Sequence, residues 1–97
     1  MKIVYAPRAL RDLGQIASYL EERSPAGKRS VLAAIKSSVE ALKEAPDLGR
    51  TVDEAGHRRL IVPRYAYAVF YRAAADEVFI LHIRHTARRP VDPHEEL

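Results

Sequence analysis

Residues 58–85, RRLIVPRYAYAVFYRAAADEVFILHIRH, alternate strand-forming runs with short turn segments. Three runs are rich in the β-branched and aromatic residues that favour strands: Arg58 to Val62, Tyr67 to Arg72 and Glu77 to His85. Pro63-Arg64 and Ala73 to Asp76 separate them, and such short connections predict an antiparallel meander. The last run is apolar on both of its alternating faces, so we expect that strand to be central.

A strand and two amphipathic helices are predicted upstream of this meander. Ile3-Val4-Tyr5 is a short apolar run bounded by Pro7, which suits the first position of a helix. That helix should stop near Arg23, and a second should begin at the Ser24-Pro25 cap and end at Pro46. Both helices carry apolar residues three and four positions apart: Leu10, Leu13, Ile16, Ala17 and Leu20 on the first, and Val31, Leu32, Ile35, Val39 and Leu42 on the second.

The two helices are joined by few residues and form an antiparallel hairpin whose apolar stripes need a sheet to cover. Asp47 to Gly56 carries turn residues and little periodicity, so we expect an exposed loop there. An even number of helices separates the first strand from the strand at Arg58, which predicts that these two strands run in opposite senses. The predicted fold is α+β, with the order β-α-α-β-β-β and the hairpin packed on a mainly antiparallel four-stranded sheet. It forms one domain over residues 1–90, followed by a C-terminal tail over residues 91–97.

The composition excludes several classes of protein. The chain of 97 residues has no cysteine, which rules out disulfide frameworks and thiolate chemistry. It has no apolar run approaching the roughly 20 residues that a membrane span needs, and no charged-then-apolar leader. We therefore expect a soluble, cytoplasmic protein with no membrane partner.

Nucleotide-loop and metal motifs are absent from the sequence. No G-x-x-x-x-G-K-S/T, G-x-G-x-x-G, C-x-x-C or H-E-x-x-H pattern occurs. His82 and His85 lie three apart on one predicted strand and should point to opposite faces, so they cannot chelate one metal ion together. The serines lie on or beside helices, far in sequence from any histidine, which argues against a nucleophilic triad. We expect no metal and no cofactor.

Positive charge is concentrated in the second half of the chain. Seven arginines lie between Arg58 and Pro90, and only Asp76 and Glu77 oppose them. Arginine stays ionised, and its planar guanidinium suits carboxylates and phosphates, so we expect an anionic partner. The candidate target-binding residues are Arg58, Arg59, Arg64, Arg84, His85, Arg88 and Arg89.

Three interpretations of this arginine cluster are open from the residues alone. It could be a binding surface, a metal-independent phosphodiester site, or a charged sheet edge that deters aggregation. Charged edges usually mix both signs, which favours a functional role. Aromatic residues interleave with the arginines, as in binders of single-stranded RNA, but most of these aromatics are expected to be core residues.

Several short motifs follow one another in a distinctive order: Pro7-Arg8-Ala9 with Asp12-Leu13 and Ile16, Arg58-Arg59-Leu60, Val62-Pro63-Arg64-Tyr65-Ala66-Tyr67, Val69-Phe70-Tyr71-Arg72, and Asp76-Glu77-Val78 through Ile83-Arg84-His85-Thr86-Ala87-Arg88-Arg89-Pro90. With these motifs in this order and spacing, the chain from Ile3 to Pro90 resembles the RelE/ParE superfamily of bacterial type II toxin-antitoxin toxins. The resemblance implies the fold predicted above, a bacterial cytoplasmic location and a small antitoxin encoded beside the toxin.

The resemblance implies one of two functions. RelE-like members are ribosome-dependent ribonucleases that cut messenger RNA, whereas ParE-like members inhibit DNA gyrase without being nucleases. Ribonuclease members usually carry a catalytic arginine in the third strand and often a tyrosine near the end of the last strand, where this chain has Ala68 and His85-Thr86. These departures favour a ParE-like, non-catalytic gyrase inhibitor. Under the RelE-like alternative, Arg64, Arg84 and His85 would be catalytic, and a binding module that has lost toxicity is a third possibility.

The expected antitoxin is an acidic, partly disordered segment that lays an amphipathic helix along the helical hairpin. The residues predicted to bind it are Leu13, Ile16, Leu20, Val39, Leu42 and Arg72. The apolar stripes are wider than a three-strand sheet needs, so we expect Leu13, Ile16, Val39 and Leu42 to leave apolar area exposed in the free toxin.

Overall fold

A computed structural model describes residues 1–86 as two helices and five strands. The elements in chain order are β1 Lys2–Tyr5, α1 Pro7–Glu21, α2 Pro25–Ala41, β2 Arg50–Thr51, β3 Arg58–Ile61, β4 Tyr67–Ala74 and β5 Glu77–His85. The predicted tail, residues 91–97, lies outside the described residues, as do Arg88 and Arg89. The three strands predicted in the second half are all present, and the α+β class is confirmed.

One sheet contains all five strands in the order β1-β5-β4-β3-β2. The meander β3-β4-β5 is antiparallel, as predicted. β5 pairs with β1 on one side and β4 on the other, which agrees with its apolar character on both faces, although β4 holds the middle position. Among the strand pairs within residues 1–86, only β1 with β5 is parallel.

Two predictions about the sheet were wrong for the same reason. The segment Asp47 to Gly56 contains β2, which pairs antiparallel with β3 and makes the sheet five-stranded instead of four-stranded. The helical hairpin brings the chain back into β2, and a further turn then reverses it into β3. β1 and β3 therefore run in the same sense, contrary to the prediction.

The helix boundaries follow local sequence at three of their four ends. Pro7 and Pro25 begin α1 and α2, and the Ser24 side chain caps α2 by accepting a hydrogen bond of 3.0 Å from the Gly27 amide. α1 ends at Glu21, close to the predicted Arg23. α2 ends at Ala41, five residues before the predicted Pro46, because its last turns tighten into bonds between residues three apart, such as Leu42 N to Val39 O.

The hydrophobic core lies between the helical hairpin and one face of the sheet. It joins helix residues such as Ile35 and Val39 to Val69, Tyr71 and Ile80 of the central strands. This face is the helix-covered face. The opposite side, which we call the outer face, carries Arg50, Arg59, Ile61, Ala68, Phe70, Arg72, Phe79, His82 and Arg84, as the strand registers and the 2-residue repeat require.

The expectation of exposed apolar stripes was wrong for three of its residues. Ile16, Val39 and Leu42 are buried, with 7%, 0% and 0% of their surface exposed. The reason is that these side chains pack into the hydrophobic core together with residues of β4 and β5. Leu13 and Leu20 are half-buried against the core.

Tyr71 fixes the segment that leads from α2 into β2. Its buried hydroxyl donates to the Pro46 carbonyl and accepts from the Gly49 amide, both at 2.8 Å. Burial raises the pKa of Tyr71, so this phenol remains a donor at neutral pH. Gly49 is required for the close approach, because a Cβ there would lie 2.8 Å from the Tyr71 ring and 2.9 Å from the Arg59 carbonyl oxygen.

Candidate functional site

Four arginines from four strands share the outer face of the sheet. Arg50 lies opposite Arg59 on the next strand, Arg84 lies opposite Ala68, and Arg72 lies opposite Phe79. Arg50, Arg59 and Arg72 are exposed and form no ion pair within residues 1–86. The Arg72 guanidinium instead lies 5.8 Å from the centre of the Phe79 ring. The face therefore combines uncompensated cations with apolar and aromatic side chains, which suits an acidic partner.

Arg58 occupies a different position from the other predicted target-binding arginines. It lies on the helix-covered face opposite Tyr71 and is half-buried. Its guanidinium donates to the Gly49 carbonyl at 2.7 Å and to the Asp47 carbonyl at 3.3 Å. Arg58 thus holds the same segment that Tyr71 fixes, and its part in target binding stays a prediction.

Arg64 and His85 line one depression at the end of the sheet. The depression has a volume of about 440 Å³ and lies between the helical hairpin and the β3–β4 turn. Its lining residues are Tyr19, Leu20, Val31, Arg64, Tyr65, Ala66, Tyr67 and His85. The His85 imidazole packs edge-on against the Tyr67 ring at 4.9 Å between centroids.

The three residues expected to be catalytic under the ribonuclease interpretation do not lie on one face. His85 is opposite Tyr67, whose side chain belongs to the core, whereas Arg84 is opposite Ala68 on the outer face. Arg64 is exposed in the β3–β4 turn and lines the depression with His85. Ala68, where the resemblance to ribonuclease members leads one to expect a catalytic arginine, is completely buried.

A polar cluster at the edge of β5 was missed by the sequence analysis. The Asp12 carboxylate accepts hydrogen bonds from the Ile83 amide at 2.9 Å and from His82 Nδ1 at 2.8 Å. Arg8 donates to His82 Nε2 at 3.4 Å, which requires the imidazole to carry its proton on Nδ1. His82 is buried and stacks on Phe70, so the cluster joins α1 to β5 just beyond the last residue paired with β1. The available signal was a histidine inside an otherwise apolar strand, which needs a polar partner.

His82 and His85 point to opposite faces, as predicted. Within residues 1–86, no group of three histidine, aspartate or glutamate side chains is arranged to hold a metal ion. No helix in the same range is both long and apolar enough to cross a membrane.

The loop between β2 and β3 is closed by Asp53. Its carboxylate accepts hydrogen bonds from the Ala55 and His57 amides and from His57 Nδ1, the last at 2.6 Å. The side-chain bond from His57 is the main reason that the pKa of Asp53 is lowered. This arrangement has the form of an Asx turn and accounts for the ordering of the loop without a ligand.

Comparison with known proteins decides the family. The family model described as "ParE toxin of type II toxin-antitoxin system, parDE" matches residues 3–90. The chain belongs to the ParE toxin family. This ParE-family chain is 32% identical over 87 residues to Toxin RelE2 of Caulobacter vibrioides, covering 90% of this chain and 97% of that protein. It is also 36% identical over 84 residues to Putative toxin Y4kP of Sinorhizobium fredii, covering 87% and 86%.

A solved structure supports the fold of this ParE-family toxin. A chain from the chromosomal ParDE toxin-antitoxin system of P. aeruginosa superposes with a TM-score of 0.78 at 24% identity. The superposition covers 89% of this chain and 96% of that one. The chain is thus a type II toxin of the RelE/ParE superfamily, with the fold of that neighbour.

Proposed function

We propose that this toxin inhibits DNA gyrase by binding to it, without a chemical step, and that a cognate antitoxin neutralises it in the bacterial cytoplasm. The observation that carries the proposal is the separation of Arg84 from Arg64 and His85, together with a buried alanine at position 68. Cleavage of RNA without a metal needs cationic and proton-transferring groups that converge on one phosphate. Here Arg84 lies on the outer face, apart from the depression that Arg64 and His85 line.

The outer face is the proposed target-binding surface. Its exposed arginines are fixed on paired strands, so a partner does not have to order the backbone that carries them. Arg59 and Arg84 are the predicted target-binding residues on this surface, and Arg50 joins them through its pairing with Arg59. Arg64 and His85 extend the target-binding prediction to the depression.

The antitoxin is proposed to bind through residues that the core leaves accessible. Of the predicted set, Leu13 and Leu20 are half-buried and Arg72 is exposed. Val39 and Leu42 are fully buried and Ile16 is 7% exposed in this structure, so these three residues offer a partner almost no surface. An acidic amphipathic segment would match these residues, and no cofactor is required.

The alternative function, a RelE-like ribonuclease, has one specific observation in its favour. Arg64 and His85, two of its three candidate catalytic residues, line the same depression. Under this alternative Arg64 would hold the RNA phosphate and His85 would transfer the proton, and replacing either would abolish cleavage while ribosome binding persists.

Charge reversal on the outer face tests the proposed function. Arg59→Glu and Arg84→Glu should each weaken inhibition of gyrase supercoiling by about tenfold, since charge-assisted contacts are worth roughly 1.5–3 kcal/mol. Lys36→Glu is the matched control, because Lys36 is exposed on α2, on the other side of the sheet. Equal inhibition by all three variants would show that the outer face does not carry the interaction.

A further inference from the structure

The depression that contains Arg64 has a distinct chemical composition. Its walls carry one guanidinium, one imidazole and three phenol rings, and no carboxylate of residues 1–86 lines it. Leu20 and Val31 add apolar surface from the helical hairpin. Such a mixture is typical of small-molecule sites, in which apolar walls surround a few polar groups.

The backbone of Arg64 has a conformation that disfavours an arginine. Its φ is +75°, in the left-handed region that glycine adopts most easily. Hydrogen bonds of 2.9 Å from the Val62 amide to the Tyr67 carbonyl and from the Tyr67 amide to the Tyr65 carbonyl close the turn around it. Disfavoured backbone of this kind clusters at ligand sites, where the surrounding structure imposes it.

The guanidinium of Arg64 is uncompensated at this position. Arg64 is exposed and makes no hydrogen bond or ion pair with any other residue of the described range 1–86. Tyr65 and Tyr67 follow Arg64 in sequence and line the same depression. A cation beside rings and without a carboxylate partner selects an anion that carries an apolar or planar group.

A second guanidinium contacts Tyr19, one of the lining residues. Arg23 packs over the Tyr19 ring with its guanidinium carbon 3.7 Å from the ring centre, and it donates to the Tyr19 carbonyl at 2.9 Å. These two contacts hold the Tyr19 ring and bring a positive charge next to a lining residue. Arg23 therefore places a second guanidinium in contact with a lining residue, in addition to Arg64.

We propose that this depression binds a nucleoside phosphate, with the phosphate on Arg64 and the base packed against Tyr65. The volume of about 440 Å³ suits one nucleotide. An extended acidic peptide would need a row of cations, which the outer face offers and this depression does not. The ligand can be a free mononucleotide or one nucleotide of a single-stranded nucleic acid, since the recognised chemistry is the same. The proposal goes beyond gyrase binding, because it adds a nucleotide ligand to a depression whose Arg64 and His85 are also predicted target-binding residues.

Calorimetric titration of the full-length toxin, free of antitoxin, tests this site. The probes are AMP, inorganic phosphate and a short single-stranded oligodeoxyadenylate. AMP should bind saturably, and Arg64→Gly should weaken its binding by about tenfold or more, as expected for loss of a charge-assisted phosphate contact. Arg64→Gly should remain folded, because glycine accepts the left-handed conformation. Ala75→Gly is the matched control, since Ala75 also has a positive φ, +53°, in a different turn.

Tyr65→Leu separates recognition of the base from recognition of the phosphate. It should weaken AMP binding by about fivefold or more, the lower range of a lost base–aromatic contact, and leave binding of inorganic phosphate unchanged. Tighter binding of the oligonucleotide than of AMP would identify nucleic acid as the source of the ligand, and the reverse order would identify a free nucleotide. Either order supports the site.

Three results would overturn the proposal. The first is that neither AMP nor the oligonucleotide binds saturably, and the second is that Arg64→Gly and the unmodified toxin bind AMP with equal affinity. The third is that an acidic hexapeptide binds in a manner that depends on Arg64 while AMP does not bind. None of these results uses gyrase. Failure of the nucleotide site is therefore distinguishable from failure of the proposed target.

Discussion

Removing one oxygen atom from Tyr71 should destabilise the toxin substantially. Tyr71→Phe leaves the buried Gly49 amide without its acceptor and the Pro46 carbonyl without its donor. A buried polar group that loses its partner costs roughly 1–3 kcal/mol. Loss of both hydrogen bonds should lower the free energy of unfolding by about 2–3 kcal/mol. The sum is less than two full penalties because water can reach the part-buried Pro46 carbonyl more easily than the buried Gly49 amide.

Urea and thermal unfolding measure this loss. For a domain of this size each kcal/mol corresponds to about 4–8 °C, so the melting temperature should fall by about 10–20 °C. Tyr65→Phe is the matched control, because the Tyr65 hydroxyl makes no hydrogen bond within residues 1–86; its change should stay within about 0.5 kcal/mol. A Tyr71→Phe variant as stable as this control would refute the role assigned to the hydroxyl.

Further predictions concern glycines, the Asp12 cluster and pH. Gly49→Ala should destabilise the toxin by about 1–3 kcal/mol, because the new Cβ clashes with Tyr71. Gly14→Ala on α1 should stabilise it by roughly 0.5–1 kcal/mol, because the new Cβ meets nothing within 4 Å. Denaturant titration of both variants compares the two changes. Asp12→Ala should cost about 2–4 kcal/mol because His82 and the Ile83 amide lose their acceptor, and an unchanged urea midpoint would contradict this. Because the pKa of Tyr71 is raised in the folded state, its hydroxyl contributes fully to stability below about pH 10, the pKa of an unfolded tyrosine. This contribution is lost as the pH rises through the pKa of folded Tyr71. Stability of the unmodified toxin should therefore fall more steeply in alkali than that of Tyr71→Phe, and parallel profiles would argue against the assignment.

Local sequence was sufficient where an element has its own periodicity or cap. The β3–β4–β5 meander follows from strand-forming runs between short turns, and the start of α2 follows from the Ser24 cap. The opposite orientation of His82 and His85 follows from the two-residue repeat of a strand. It survives the irregularity in the β4–β5 register because that irregularity precedes both histidines.

The features that sequence could not supply depend on contacts between distant segments. β2 has two residues, too few for any periodicity, and exists because Tyr71 and Arg58 fix the segment before it. The direction of β1 relative to β3 depends on β2, so the predicted direction was wrong because β2 was not foreseen. The burial of Val39 and Leu42 depends on the packing of the helical hairpin against β4 and β5. These are tertiary effects, and no local pattern records them.

The same limit applies to the candidate site. The sequence shows an excess of arginine in the second half of the chain, but it does not show which arginines lie on which face of the sheet. Strand register places Arg59, Arg72 and Arg84 on the outer face and Arg58 on the helix-covered face. The conformation of the β3–β4 turn places Arg64 in the lining of the depression, together with His85. The arginines that are close in sequence therefore belong to the outer face, to the depression and, for Arg58, to a structural contact.

A direct comparison of the two possible targets tests the central claim. Purified toxin is added at saturating concentration to a DNA gyrase supercoiling reaction and, in parallel, to a translation reaction whose messenger RNA is mapped for cleavage. If the toxin is a gyrase inhibitor, as proposed, it should block supercoiling or trap cleaved DNA and leave the translated message intact. Codon-specific cuts in the message, with gyrase unaffected at the same toxin concentration, would contradict the account.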